Sequence, residues 1–253
     1  MPPPTVDPGT PRQVIPRPAR SRAGRPARWA ELEDSARRAI SLERVRAAVV
    51  DGRSWVAGYP DARRQVATLA ELPPGPAAAV LVPLYESEGE TRVILTVRTS
   101  DLSSHRDEVA FPGGRLDAGE DAVAGALREA WEEVGLDPDA VSVVGTLHDL
   151  ATASSNTIVT PVVGTLDRRP SLTANPAEVA RIFDLALADL LVDGVFHEEW
   201  WPVPGSPQLD GGREREFPIW FFEAAGETIW GATARMLMDL LSLVLGTGEP
   251  LGD

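Results

Sequence analysis

Glu129, Glu132 and Glu133 are the side chains best placed to do chemistry. They close the stretch Gly114-Arg-Leu-Asp-Ala-Gly-Glu120 … Arg128-Glu129-Ala130-Trp131-Glu132-Glu133-Val134-Gly135-Leu136. On a helix their spacing gathers three carboxylates on one side. Like charges so placed cost a helix ~0.2–0.5 kcal/mol per pair. A divalent cation reverses that penalty, and clustered carboxylate oxygens are donors that Mg²⁺ or Mn²⁺ accepts. Gly113-Gly114 lets backbone approach closely, which makes a main-chain carbonyl a further candidate ligand. Arg128, four residues before Glu132, can fix a carboxylate with a forked hydrogen bond. The competing reading is a solvated acidic helix face.

A helix carrying these groups needs a core to hold it. Val123, Leu127, Ala130, Trp131 and Val134 recur at helical period and predict the buried stripe. Ala77–Tyr85 and Arg92–Arg98 read as buried strands joined by the polar turn Glu86–Glu90. Val141–Leu147 and Ile158–Leu166 read as further strands. Glu178–Leu191 has mixed period and predicts a short strand followed by a helix, with Asn175 as N-cap and Glu178 as a helix-start acid. Phe217–Ala224 is an aromatic strand whose Pro218 suits an edge or first position. Ile229–Leu245 predicts a closing helix, and the apolar spacing from Trp29 to about Val50 predicts one or two more. Strands alternating with helices give an α/β (α+β) class.

Pro73-Pro74-Gly75-Pro76 marks a break. The expected organisation is a disordered Pro/Arg-rich tail over 1–28, a helical extension over 29–72, a compact domain over 73–246 and a flexible C-terminus over 247–253. The net charge is −14, unevenly spread. Residues 1–30 hold six arginines against one aspartate, a net of +5 that leaves −19 for the rest. So acidic a domain makes nucleic acid a poor partner. Without cysteine there is no disulfide, thiolate site or cysteine nucleophile. No apolar run approaches the ~18 residues of a membrane span, and no secretory signal is evident, so no membrane partner and a cytoplasmic location are expected. His148 and His197 carry no motif context and read as structural.

The stretch from Gly114 to Leu136 resembles the box of the Nudix hydrolases, which cleave nucleoside diphosphates linked to another group. Ala130 stands where that family usually carries a larger aliphatic residue. Upstream, Ile94-Leu95-Thr96-Val97-Arg98-Thr99, Leu102, His105 and Val109-Ala110-Phe111-Pro112-Gly113-Gly114 are similar to the segment preceding the box in coenzyme A pyrophosphatases. Val159–Gly164 and Ile229–Leu237 resemble the same group, so the likeness covers about residues 77–245 in patches. It implies the Nudix fold, a mixed β-sheet sandwiched between α-helices. It also implies hydrolysis dependent on Mg²⁺ or Mn²⁺, with Glu129, Glu133, Glu132 and the Gly114 carbonyl as metal ligands. Glu132 by preference takes the proton from water, and Arg128, paired with Glu120, orients the carboxylates. Arg98, His105, Arg106, Phe111 and Arg115 fall to substrate binding.

With coenzyme A as the small-molecule nucleotide substrate, the implied products are 3′,5′-ADP and 4′-phosphopantetheine. A homodimer is the family habit. Four departures put the substrate in question: Ser103 replaces the group's Arg, Asp107 its Gly, Thr99 its Ser or Ala, and Ser154-Ser155-Asn156 a frequent Ser-Gly-Phe run. ADP-ribose, NADH or a noncanonical nucleoside triphosphate are the alternatives. Counterparts of Glu178 supply a general base in some relatives. A non-catalytic nucleotide-sensing module would not require all three box glutamates, and an RNA-processing enzyme fits the acidic domain poorly.

Overall fold

The computed structural model describes residues 13–51, 55–56, 76–100, 107–152, 157–202, 216–247 and 249–250. The chain opens with β1 (Arg22–Ala23), α1 (Asp34–Arg38), α2 (Leu42–Asp51) and β2 (Trp55–Val56). A hairpin follows, β3 (Ala77–Ser87) and β4 (Glu90–Arg98), turned through Glu88 and Gly89 at φ 56° and 79°. Then come β5 (Val109–Ala110), β6 (Gly113–Arg115), α3 (Ala122–Val134), β7 (Ser142–Thr146), β8 (Leu150–Ala151) and β9 (Ile158–Leu166). The remainder is β10 (Val179–Ala186), a 3-10 turn over Leu187–Leu191, β11 (Phe196–Pro202), β12 (Glu216–Ala224), β13 (Glu227–Trp230), α4 (Gly231–Leu245) and β14 (Glu249–Pro250).

The main sheet runs β10-β4-β3-β9-β7, with β5, β6 and β8 alongside β4, β3 and β9. It is mixed: β3 and β9 are parallel and the other pairs antiparallel. β3 shows why its sequence is apolar almost throughout. Ala79, Leu81 and Tyr85 face α3 residues Ala126, Ala130 and Val134, whereas Val82 and Leu84 face the opposite cluster. A strand covered on both faces has no side to give to water. The second cluster contains Val45 and Val49 of α2, Leu237, Leu240 and Leu241 of α4, and Trp220 and Phe222 of a further antiparallel sheet, β1-β11-β12-β13. The expected mixed sheet between helices is therefore present, and α2 belongs to its core.

Several elements differ from expectation. Trp131 is 55% exposed, because one residue is 100° of helix and Trp131 falls beyond the stripe centred on Ala130 and Val134. Glu178–Leu191 is a strand ending in a 3-10 turn, and Asn175 caps no helix: its carbonyl accepts from Glu178 and Val179 in a turn. Ile229 and Trp230 belong to β13, so the closing helix starts at Gly231. β11 was not expected at all. Pro218 is third in β12 rather than first, but β13 pairs only with Phe221–Ala224, so at Pro218 the strand has a single neighbour, β11.

The arm expected to be disordered is held against this second sheet over its described part. Arg22 and Ala23 pair with Trp200 and Glu199. Arg22 bonds Glu216 at 2.6 Å, and the Arg17 guanidinium lies 4.9 Å from the Phe221 ring and 3.1 Å from Glu199.

Candidate active site

α3 is fixed at both ends by its own sequence. Asp121 caps it by accepting from the Ala124 N–H at 2.8 Å. Gly135, at φ 66°, ends it in the left-handed conformation, its N–H donating to Trp131 O while Leu136 N–H reaches Ala130 O. Between these caps Ala126, Ala130 and Val134 seat the helix on the sheet. Burial of the small Ala130 lets it lie close to β3. The same seating turns Glu129 and Glu133 toward β6.

β6 accepts that approach because it carries two glycines. A Cβ on Gly114 would lie 2.5 Å from the Glu129 carboxylate carbon, and one on Gly113 would strike the β3 backbone at Ala79 and Val80. Gly113 also donates its N–H to Glu133 Oε2 at 3.1 Å. Only a glycine pair brings main chain and carboxylates this near.

Arg128 organises the exposed side of the cluster. Nε donates to Glu120 Oε1 at 2.9 Å, and Nη2 to Glu120 Oε2 at 3.0 Å and Arg115 O at 3.1 Å. Nη1 is shared between Glu129 at 3.0 Å and Glu132 at 3.2 Å. All five donors are thus engaged. These hydrogen bonds, that of Glu120 foremost, hold the guanidinium's pKa above its ordinary range, and the same bond and the Asp117 N–H hold Glu120 below the usual carboxylate range. The expected Arg128–Glu120 pairing is present.

The glutamates differ in environment. Glu132 is 54% exposed at its side chain, against 15% for Glu129 and 4% for Glu133. Burial raises the pKa of Glu129, opposed by Arg128 and reinforced by Glu132 and Glu178. Burial pushes Glu133 up to about 7; the Gly113 N–H and Arg98 oppose the shift, and Glu178 and Glu129 add to it. Glu178, read from the sequence as a helix-start acid and by resemblance as a candidate general base, stands close enough to act on both glutamates. It arrives because Thr173 and Asn175 donate to the carbonyls of Val134 and Glu133, carrying the segment before β10 across the end of α3. The short strand expected here is present as β10, but the mixed period of Glu178–Leu191 gave no sign of where Glu178 would stand.

Among the other expected site residues, Arg98 ends β4 with Nη1 3.8 Å from Glu133 Oε1. Arg115 is exposed at the end of β6. Phe111 was expected at the substrate, but it is 3% exposed and packs in the larger core cluster. His105, Arg106 and Ser103 lie outside the described residues. Asp107 has φ 56°, the left-handed conformation that glycine adopts freely and Asp tolerates better than most residues, which accounts for Asp standing where the similar group has Gly. His197 stacks on Phe221 at 4.7 Å in the second sheet, a structural setting as expected.

The donor set suits a hard divalent cation: carboxylate oxygens crowded by like charge, facing a backbone that only glycine leaves open. As they stand, no three acidic or histidine side chains among the described residues converge in metal-binding geometry; Arg128 holds Glu129 Oε1 and Glu132 Oε2, and Gly113 holds Glu133 Oε2. Among the described residues no helix is long and apolar enough to cross a membrane.

A carboxylate-bearing helix is thus laid over a paired-glycine strand, on a mixed sheet covered by helices. The NUDIX domain family matches residues 75–200. A Nudix hydrolase of Photorhabdus laumondii described as uncharacterised, NudL, is 37% identical over 184 residues, covering 69% of this chain and 92% of that protein. Nudix hydrolase 3 of Caenorhabditis elegans is 40% identical over 118 residues, covering 46% of this chain and 49% of that one. A crystal structure of a C. elegans Ap4A hydrolase binary complex superposes with TM-score 0.39 at 21% identity, over 45% of this chain and 82% of that chain, too distant a match to carry any argument. The chain belongs to the Nudix hydrolases, enzymes acting on nucleoside diphosphate derivatives.

Proposed function

We propose that the chain hydrolyses the diphosphate bond of coenzyme A or its derivatives, releasing 3′,5′-ADP and 4′-phosphopantetheine, with Mg²⁺ or Mn²⁺ as cofactor. One observation carries the reading. The box carboxylates lie against Gly113 and Gly114, the end of the Ile94–Gly114 segment whose residues resemble the coenzyme A group. Glu129, Glu133 and Glu132, with the Gly114 carbonyl, are the groups that would hold the cation. Bound there, it would polarise a phosphoryl oxygen and make hydroxide available near neutral pH. Glu132, which reaches solvent, takes a proton from water, and Glu178, set against Glu129 and Glu133, is the second candidate base. Arg128 keeps Glu129 and Glu132 aimed. Arg98, Arg106 and Arg115 offset phosphate charge, and His105 joins them in substrate binding. The catalytic unit includes α2, whose Val45 and Val49 share its core.

Chromatography of products from coenzyme A, ADP-ribose and NADH, incubated with protein and Mg²⁺ or Mn²⁺, tests this. The expected result is 3′,5′-ADP released from coenzyme A fastest of the three and lost in Glu132→Gln. Faster turnover of ADP-ribose or NADH would refute the substrate assignment and leave the chemistry standing.

A further inference from the structure

We propose that Arg98 is a positioning residue that holds Glu133 in the metal-free protein and yields it to a divalent cation. This rests on the metal reading above. The backbone of Arg98 is fixed: its N–H donates to Glu108 O at 3.0 Å, and it pairs with Val179 of β10. Its side chain is held loosely. Nη1 stands 3.8 Å from Glu133 Oε1, a charge contact beyond hydrogen-bond range, and Nε is buried with no acceptor. A guanidinium seated for stability uses its donors, as Arg128 does with all of its own. Arg98 instead balances a buried carboxylate through a contact that can be exchanged.

The second oxygen of Glu133 stays on the Gly113 N–H at 3.1 Å, which keeps the carboxylate aimed at β6 whichever cation it faces. Arg98 and the incoming metal thus compete for the same oxygen, Oε1. Once displaced, the guanidinium carries uncommitted donors beside the site, the form in which it can meet a phosphate oxygen.

Mn²⁺ titration followed by electron paramagnetic resonance, without substrate, tests this on wild type, Arg98→Met, Arg98→Lys and Glu133→Gln. Losing a competing charge a few ångströms away should tighten Mn²⁺ binding in Arg98→Met about tenfold, with Arg98→Lys between it and wild type. Glu133→Gln should weaken binding at least about tenfold. Unchanged or weaker binding in Arg98→Met, with Glu133→Gln weakened as expected, overturns the role of Arg98 and leaves the metal site standing. If Glu133→Gln binds like wild type, the metal reading falls and takes this one with it.

Discussion

Glu133 and Glu198 are both 3% exposed, yet they are buried in different ways. Glu198 accepts from the indoles of Trp200 at 2.6 Å and Trp220 at 3.2 Å and from the Arg25 N–H at 3.1 Å. Gly24 packs so tightly on it that a Cβ there would collide with the Glu198 side chain. Every one of these donors is part of the fold. Glu133 has one backbone N–H at 3.1 Å and a guanidinium at 3.8 Å, with Glu129 and Glu178 adding like charge. A buried carboxylate surrounded by fixed donors clamps structure together. One left short of donors among like charges is poised for a cation the chain itself does not supply. By this measure β11 and the arm form a structural clamp, and the carboxylates between α3 and β6 are the proposed working site.

The largest expected effect on stability lies at the clamp. Glu198→Ala strands two indole N–H groups and a backbone N–H, and should lower unfolding free energy by about 3 kcal/mol in urea titration. Turnover at a temperature where the variant is folded should stay within about threefold of wild type. A collapse of turnover with intact folding would break the division between the two regions.

The next effect is a pH dependence specific to Glu133. Its folded pKa of about 7 lies above the ordinary 4.5, so its contribution to stability is fully present below 4.5 and is lost as pH rises through 7. In chelator, wild type should lose about 3 kcal/mol relative to Glu133→Gln across that window. Parallel stability curves for the two proteins would contradict the assignment.

A smaller effect comes from the glycine strand. In Gly114→Ala the new methyl must displace the Glu129 carboxylate, 2.5 Å away, which should slow turnover about 10–100-fold. Melting temperature should move little, because the group that yields is the end of a side chain. The smallest concerns Asp107, whose φ of 56° favours glycine. Asp107→Gly should raise stability by about 0.5 kcal/mol in thermal unfolding.

The sequence made these regions legible to different degrees. Ile158–Leu166 was bounded to the residue, since an apolar run with a turn on either side leaves little choice. α3 was readable from its period and the glycines around it. Trp131 was misplaced because hydrophobicity does not reveal that a position lies past the edge of a stripe. β11 escaped notice because Phe196-His-Glu-Glu-Trp-Trp-Pro202 has no apolar alternation. Its Glu198 can be buried only because two indoles and the arm donate to it, a tertiary arrangement. The arm itself offers little to bury, and its order comes from Arg17 and Arg22 meeting Glu199, Glu216 and aromatic faces. Glu178, 45 residues beyond Glu133, reaches the site only through the turn that crosses the end of α3.

The most direct test compares two isosteric changes, Glu133→Gln and Glu198→Gln, by the rate of product release from the preferred diphosphate substrate in Mg²⁺, well below both melting temperatures. Glu133→Gln should lose about 10³-fold or more in rate, equivalent to ~4 kcal/mol of barrier, and remain stably folded. Glu198→Gln should keep the rate within about threefold and melt earlier. Equal losses of rate in the two variants, or a Glu133→Gln protein as fast as wild type, would contradict the account.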